Sequence, residues 1–250
     1  MYRVSPIVKQ LLIINIIFFV GSTLSFNSDF IYSLFGLYFP ENPQFKFWQI
    51  ITHMFMHGNI QHILFNMFAL WMFGSSVESI FGTKKFLFFY ITCGLGAAFI
   101  QILFLYYVFY SNLDLLVGSG YDQSSILNIL SEGKYNSSWE GVLGPKGLLD
   151  FNSSFFSSMV GASGAIMGVL VAFGMFFPDS KLMLIFLPVP IKAKYFIPGI
   201  ILLDLFSAIT GQAIFSPSNT AYVAHIGGAL TGFLIMYYWK KNQFTKNRWY

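Results

Sequence analysis

The chain has 250 residues, 56% of them hydrophobic, 20% aromatic and only 10% charged. Soluble domains carry about 25% charged residues, so this composition excludes an ordinary soluble fold. The net charge of +4 does not indicate nucleic acid, because the basic residues flank apolar runs; a lone cysteine, Cys93, excludes an internal disulfide and a cysteine cluster for zinc.

A spanning helix needs roughly 20 mostly apolar residues. Six stretches are expected to span, at about 7–25, 59–77, 86–110, 160–177, 195–210 and 221–239. The first follows Arg3 and Lys9, but residues 26–28 make a poor cleavage site. It is therefore read as a retained span rather than a signal peptide. The next stretch, 26–58, is dense in aromatic residues, among them Phe30, Tyr32, Phe35, Tyr38, Phe39, Phe45, Phe47 and Trp48. Rings with one wet end suit the headgroup region, so a partly embedded amphipathic element is expected there. Within the third span, Cys93 reads as a small packing residue.

The segment 111–158 is polar, rich in Ser, Asn and Gly, and long for a compact connection. A mobile outer flap and a small folded insert both fit it. Asn136 with Ser138, and Asn152 with Ser154, match glycosylation sequons, a motif common by chance. The fifth span starts at Lys194 and is short, so apolar residues before Pro198 are expected to help it cross.

Charge orients these spans. With the N-terminus cytoplasmic, eleven of the 14 Lys and Arg residues fall on that side, against Glu78 and Asp179 alone. The positive-inside rule then puts both termini inside. The expected fold class is an all-α polytopic membrane protein, one domain over 1–250, with a long polar outer insertion at about 111–158.

Polar side chains inside spans are functional hypotheses by default. They are His62 and Asn66 in span two, Ser163 in span four, Asp204 in span five and His225 in span six. Spans two, four and six all enter from the outer side. At 1.5 Å per residue, Ser163 and His225 lie about 4–8 Å past their helix starts, with His62 level and Asn66 one turn deeper. His62 and Asn66, four apart, share a helix face and can address one cavity. Ser163 sits in Gly161-Ala162-Ser163-Gly164 near a helix N-terminus, where free amides favour developing negative charge. Gly161 lets the backbone turn there. A serine needs a base to become a nucleophile, and His225 is the best candidate. Behind it, Gly228 and Gly232 allow a neighbouring helix to approach closely.

Each feature has a plainer reading. The serine could be a cap, the histidines structural hydrogen bonders or proton relays, and the glycines mere packing. A transporter or channel is a further class, motivated by Asp204 and the histidines, but no inverted repeat of broken helices supports it.

Taken together, His62-x-x-x-Asn66, Gly161-Ala162-Ser163-Gly164 and Ala224-His225-x-x-Gly228-x-x-x-Gly232 resemble the three motifs of the rhomboid intramembrane serine proteases. The resemblance extends over residues 7–239. His53 and His57, Glu78, the aromatic element at 30–48, and Asp204-Leu205-Phe206 near the family's lateral gate agree as well. It implies a six-transmembrane-helix rhomboid-like bundle with a partly membrane-embedded first loop. It implies Ser163 as nucleophile, His225 as general base, and Asn66 and His62, with the Gly161 turn and the Ser163 amide, around the oxyanion. Trp48 and Phe206 become gate or structural residues. The family works with a dyad, so Asp204 is left out of it and expected near mid-membrane in a buried, hydrogen-bonded or structural role. The implied activity is cleavage of transmembrane protein substrates in the bilayer, without metal or cofactor, in a bacterial inner membrane with the site opening outward. A catalytically weak or inactive rhomboid-like protein that binds membrane clients for quality control is the alternative. Three departures bear on it: Gln49 follows Trp48 where many relatives have arginine, Met167 stands where a bacterial relative typically has a tyrosine on the catalytic histidine, and the long 111–158 loop is unusual.

Overall fold

The computed structural model describes residues 4–184, 187–212 and 221–246; Arg3 and Arg248, counted above among the basic residues, lie outside these. All six expected spans are helical. Helix α1 is Pro6–Leu24. A short amphipathic helix α2, Ser28–Phe35, and a single turn α3, Gln49–Thr52, form the aromatic loop. Span two is α4 (Ile60–Ala69), a wide π turn (Leu70–Gly74) and α5 (Ser75–Phe81) in succession. Helix α6 runs Thr83–Gly118, well beyond the expected end at 110.

Helices α7 (Gln123–Ser131) and α8 (Glu140–Phe156, kinked at Gly144) fill the outer segment. Then come α9 (Ser163–Phe176), strands β1 (Lys181–Leu184) and β2 (Leu187–Lys192), α10 (Ala193–Thr210) and α11 (Tyr222–Lys246). By length and apolar composition, Pro6–Leu24, Ile60–Phe81, Thr83–Gly118 and Ala193–Thr210 can each cross a bilayer.

Helix α9 is only 14 residues long, about 21 Å at 1.5 Å per residue. Residues 164–173 are all buried. An apolar helix buried all round belongs at the centre of a bundle, and neighbours rather than lipid enclose this one. Its glycines set the packing. A Cβ at Gly228 would strike the Gly164 carbonyl, and one at Gly232 would sit 2.7 Å from the Gly168 Cα. At Gly168 the added atom would strike Cys93 on α6. Cys93 is therefore the small packing residue expected of it, fully buried. Van der Waals contact at this range is what holds membrane helices together, since lipid removes the hydrophobic drive between them.

Glu78 ties the first span to the second. Its carboxylate accepts from the Ile7 and Val8 amides, both at 3.0 Å, and from the Ser5 hydroxyl. These amides begin α1 and have no partner within the helix. We expect Glu78→Ala to destabilise the fold by about 2–4 kcal/mol, since it strands buried donors. A melting temperature in detergent equal to that of the wild type would show that the carboxylate carries no such load.

The outer segment is a folded insert. Phe109, Leu113 and Leu116 of α6, Ile126 and Leu130 of α7, Trp139, and Phe151 and Phe155 of α8 form a second apolar core. Phe39 of the aromatic loop completes it, with its ring 5.0 Å from that of Phe109. The insert and the loop are thus packed together. Of the two sequons, Asn152 belongs to α8, and Ser154 is buried and bonded to the Phe151 carbonyl.

The apolar run before span five forms an antiparallel hairpin, with Lys181 opposite Lys192. Asp179 pairs with Lys192 at 3.1 Å and Lys194 at 2.9 Å beside it. Both lysines hold its exposed carboxyl below the usual range, Lys194 foremost. Span five therefore starts at Ala193, and the apolar residues Tyr195, Phe196 and Ile197 before Pro198 are part of its helix.

Candidate active site

The site lies where α9, α10 and α11 meet below the aromatic loop. Ser163 is the first residue of α9. The chain reaches it through Gly161, whose φ of +124° disfavours any residue with a side chain. A Cβ there would also lie 2.8 Å from the His62 ring. The Gly161 amide donates to the His53 carbonyl at 2.8 Å, and Leu37 pairs with Met159 in both directions. The serine turn is thereby fastened to the aromatic loop.

His225 stands in the first turn of α11, its ring mostly buried. Its Nε2 is 2.8 Å from Ser163 Oγ. Its Nδ1 is 2.8 Å from Asp204 Oδ2. Asp204 was expected near mid-membrane and outside the dyad. It is buried and hydrogen-bonded as expected, but it lies at the depth of His225 and in contact with it. The resemblance, which implies a dyad, gives no place to this contact, and neither helix alone fixes the offset that produces it. A signal was present: Asp204 and Ser207 are three apart on α10, Tyr222 and His225 three apart on α11, and such pairs share a helix face. Tyr222 and Ser207 lie near each other across the same pair of helices, as Asp204 and His225 do.

Asn66 is buried on α4, and its Nδ2 makes no hydrogen bond among the described residues. Buried polar atoms are nearly always paired, so an idle donor of this kind needs an explanation. His62 is half-buried; its amide is capped by Asn59 at 2.8 Å, and its ring packs edge-on to His57 with centroids 5.0 Å apart. Burial holds His53 down to about 4; burial, and then the nearby His62, hold His57 down to about 3. Both imidazoles of the aromatic loop are therefore neutral at neutral pH.

Met167 is buried in the main core one turn beyond Ser163. Phe206 is exposed on α10. Trp48 is partly exposed and donates its indole N–H to the Leu34 carbonyl at 2.8 Å, anchoring the loop. Gln49, singled out as a lost charge, is fully buried. Its Nε2 donates to the Ser33 and Gln44 carbonyls at 2.9 and 3.0 Å, and its Oε1 accepts from Lys46 N at 3.1 Å and Tyr38 N at 3.4 Å. A neutral amide, with donors and an acceptor, thus anchors this loop without a fixed charge. Among the described residues no cluster of His, Cys, Asp or Glu could hold a metal ion.

A polytopic helical membrane bundle with a serine–histidine contact near one end of its core is the class defined by this fold and site. The sequence profile of the family described as Rhomboid domain matches residues 44–242. The chain belongs to the rhomboid family. It is 28% identical over 214 residues to Presenilin-associated rhomboid-like protein A, mitochondrial, of Danio rerio, covering 82% of this chain and 43% of that protein. Presenilin-associated rhomboid-like protein, mitochondrial, of Homo sapiens gives the same identity and coverage. Rhomboid protein 1, mitochondrial, of Saccharomyces cerevisiae is 26% identical over 192 residues, covering 77% of this chain and 42% of its own length. The chain thus spans less than half the length of these curated relatives. All three are mitochondrial by name, so the expectation of a bacterial inner membrane gains nothing from them.

Proposed function

We propose that this chain is an intramembrane serine endopeptidase that cleaves transmembrane protein substrates near one face of the bilayer. The observation that carries the reading is the 2.8 Å contact between Ser163 Oγ and His225 Nε2, within the 2.6–3.2 Å typical of a nucleophile and its base. A substrate segment enters laterally between spans two and five, and its helix unwinds to expose the scissile carbonyl. Ser163 Oγ attacks the carbonyl carbon while its proton passes to His225 Nε2. The carbonyl electron pair moves onto oxygen, toward Asn66 Nδ2 and the first-turn amides of α9. The C–N bond then breaks, and His225 returns the proton to the leaving amine. Water repeats the sequence on the acyl-enzyme, with His225 again as base. The lysine-rich side is cytoplasmic, both termini lie there, and the site opens to the other side.

The test uses purified protein in proteoliposomes with a panel of single-span substrates and a fluorophosphonate probe. Cleavage of some substrates, with His225-dependent labelling at Ser163, is expected. The absence of both cleavage and labelling would overturn the proposal. Asn66→Ala should lower kcat about 10²- to 10³-fold with little change in KM, as for the loss of one oxyanion donor. Since its Nδ2 has no partner to lose, the melting temperature should hold. A raised KM at unchanged kcat would assign Asn66 to substrate binding instead.

A further inference from the structure

Asp204 is 1% exposed, held between α10 and α11, with Oδ2 2.8 Å from the imidazole nitrogen remote from Ser163. A buried carboxylate is costly and needs a reason. What the carboxylate adds is direction at the ring. An ionised carboxylate only accepts hydrogen bonds, so Nδ1 must carry the proton, and the lone pair on Nε2 then faces the Ser163 hydroxyl.

On the protease reading above, we infer that Asp204 is a positioning residue for the reaction, the third member of a Ser163–His225–Asp204 chain of hydrogen bonds. In the attack step the Ser163 proton moves to Nε2, and the Nδ1 proton stays on the ring. Asp204 takes no proton; it faces the imidazolium while the charge exists, and holds the ring in plane between its two partners. The same arrangement of roles serves soluble serine hydrolases on unrelated folds. Here two helices, α10 and α11, build it through the Asp204–His225 contact.

The nearly isosteric Asp204→Asn tests the inference. The amide either accepts weakly from Nδ1–H or turns and donates to Nδ1, which selects the unproductive tautomer. We expect kcat to fall about 10²- to 10⁴-fold, KM to stay within about twofold, and the rate of fluorophosphonate labelling at Ser163 to fall with kcat. The melting temperature should hold, and Asp204→Glu should recover part of the rate by restoring the charge. Wild-type turnover in Asp204→Asn would overturn the inference. So would a loss that follows a lowered melting temperature and a raised KM, with Glu no better than Asn, because a helix clamp alone predicts that pattern. Active wild type with active Asp204→Asn sinks this inference alone; wild type that neither cleaves nor labels sinks the protease reading with it.

Discussion

Ser163→Ala is expected to lower the rate of cleavage on the order of 10⁶-fold while leaving the protein folded. The hydroxyl is the only atom lost, and its partner is His225 Nε2; Ala162 and Gly164 on either side keep their packing. Residues that act as one unit show grossly non-additive losses, with single removals costing on the order of 10⁶ in kcat. His225→Ala should therefore cost nearly as much, and the double variant should be no worse than Ser163→Ala. Residual rate above that of water, about 10³- to 10⁴-fold, would come from binding and oxyanion stabilisation. The measurement is initial rate in proteoliposomes for both single variants and the double. A double variant much slower than either single would mean that serine and histidine act independently, and the shared proton transfer would have to be abandoned.

The spans were legible because lipid allows few solutions. A crossing helix must satisfy its own backbone and present apolar side chains for its full length, and α1, α4–α5, α6 and α10 do so in plain sequence. Ser163 and His225 stand in the first turns of α9 and α11, and the structure brings them into contact. What failed depends on register between segments. Phe39 comes from the aromatic loop, and Trp139, Phe151 and Phe155 from separate stretches of the polar segment; they become a core only when assembled. Asp204 meets His225 only at one antiparallel offset of α10 and α11, and the spacing of residues within either helix does not fix that offset. Gln49 looked like a loss when set against a charged residue, yet the carbonyls around it require donors, which an amide supplies.

The second large effect concerns folding rather than chemistry. Gly228→Val should prevent correct assembly, because even a Cβ at this position would strike the Gly164 carbonyl on α9. The obstacle is backbone, not the far end of a flexible side chain, so no rotamer change relieves it. Overpacking a well-filled core ordinarily costs about 1–3 kcal/mol. Here α9 and α11 must separate, which also withdraws His225 from Ser163, one turn from the clash. Folding and activity should therefore fail together, whereas Asn66→Ala and Ser163→Ala lose rate alone. Gly199 on α10 supplies the contrast: an added Cβ there meets nothing within 4 Å among the described residues. Gly199→Ala should be neutral or stabilising by about 0.5–1 kcal/mol, as expected for alanine in a helix. Melting temperature in detergent and fluorophosphonate labelling, read on both variants, decide the matter. A Gly228→Val protein that melts like the wild type and labels at Ser163 would mean that the close crossing of α9 and α11 is not what holds the serine against its base.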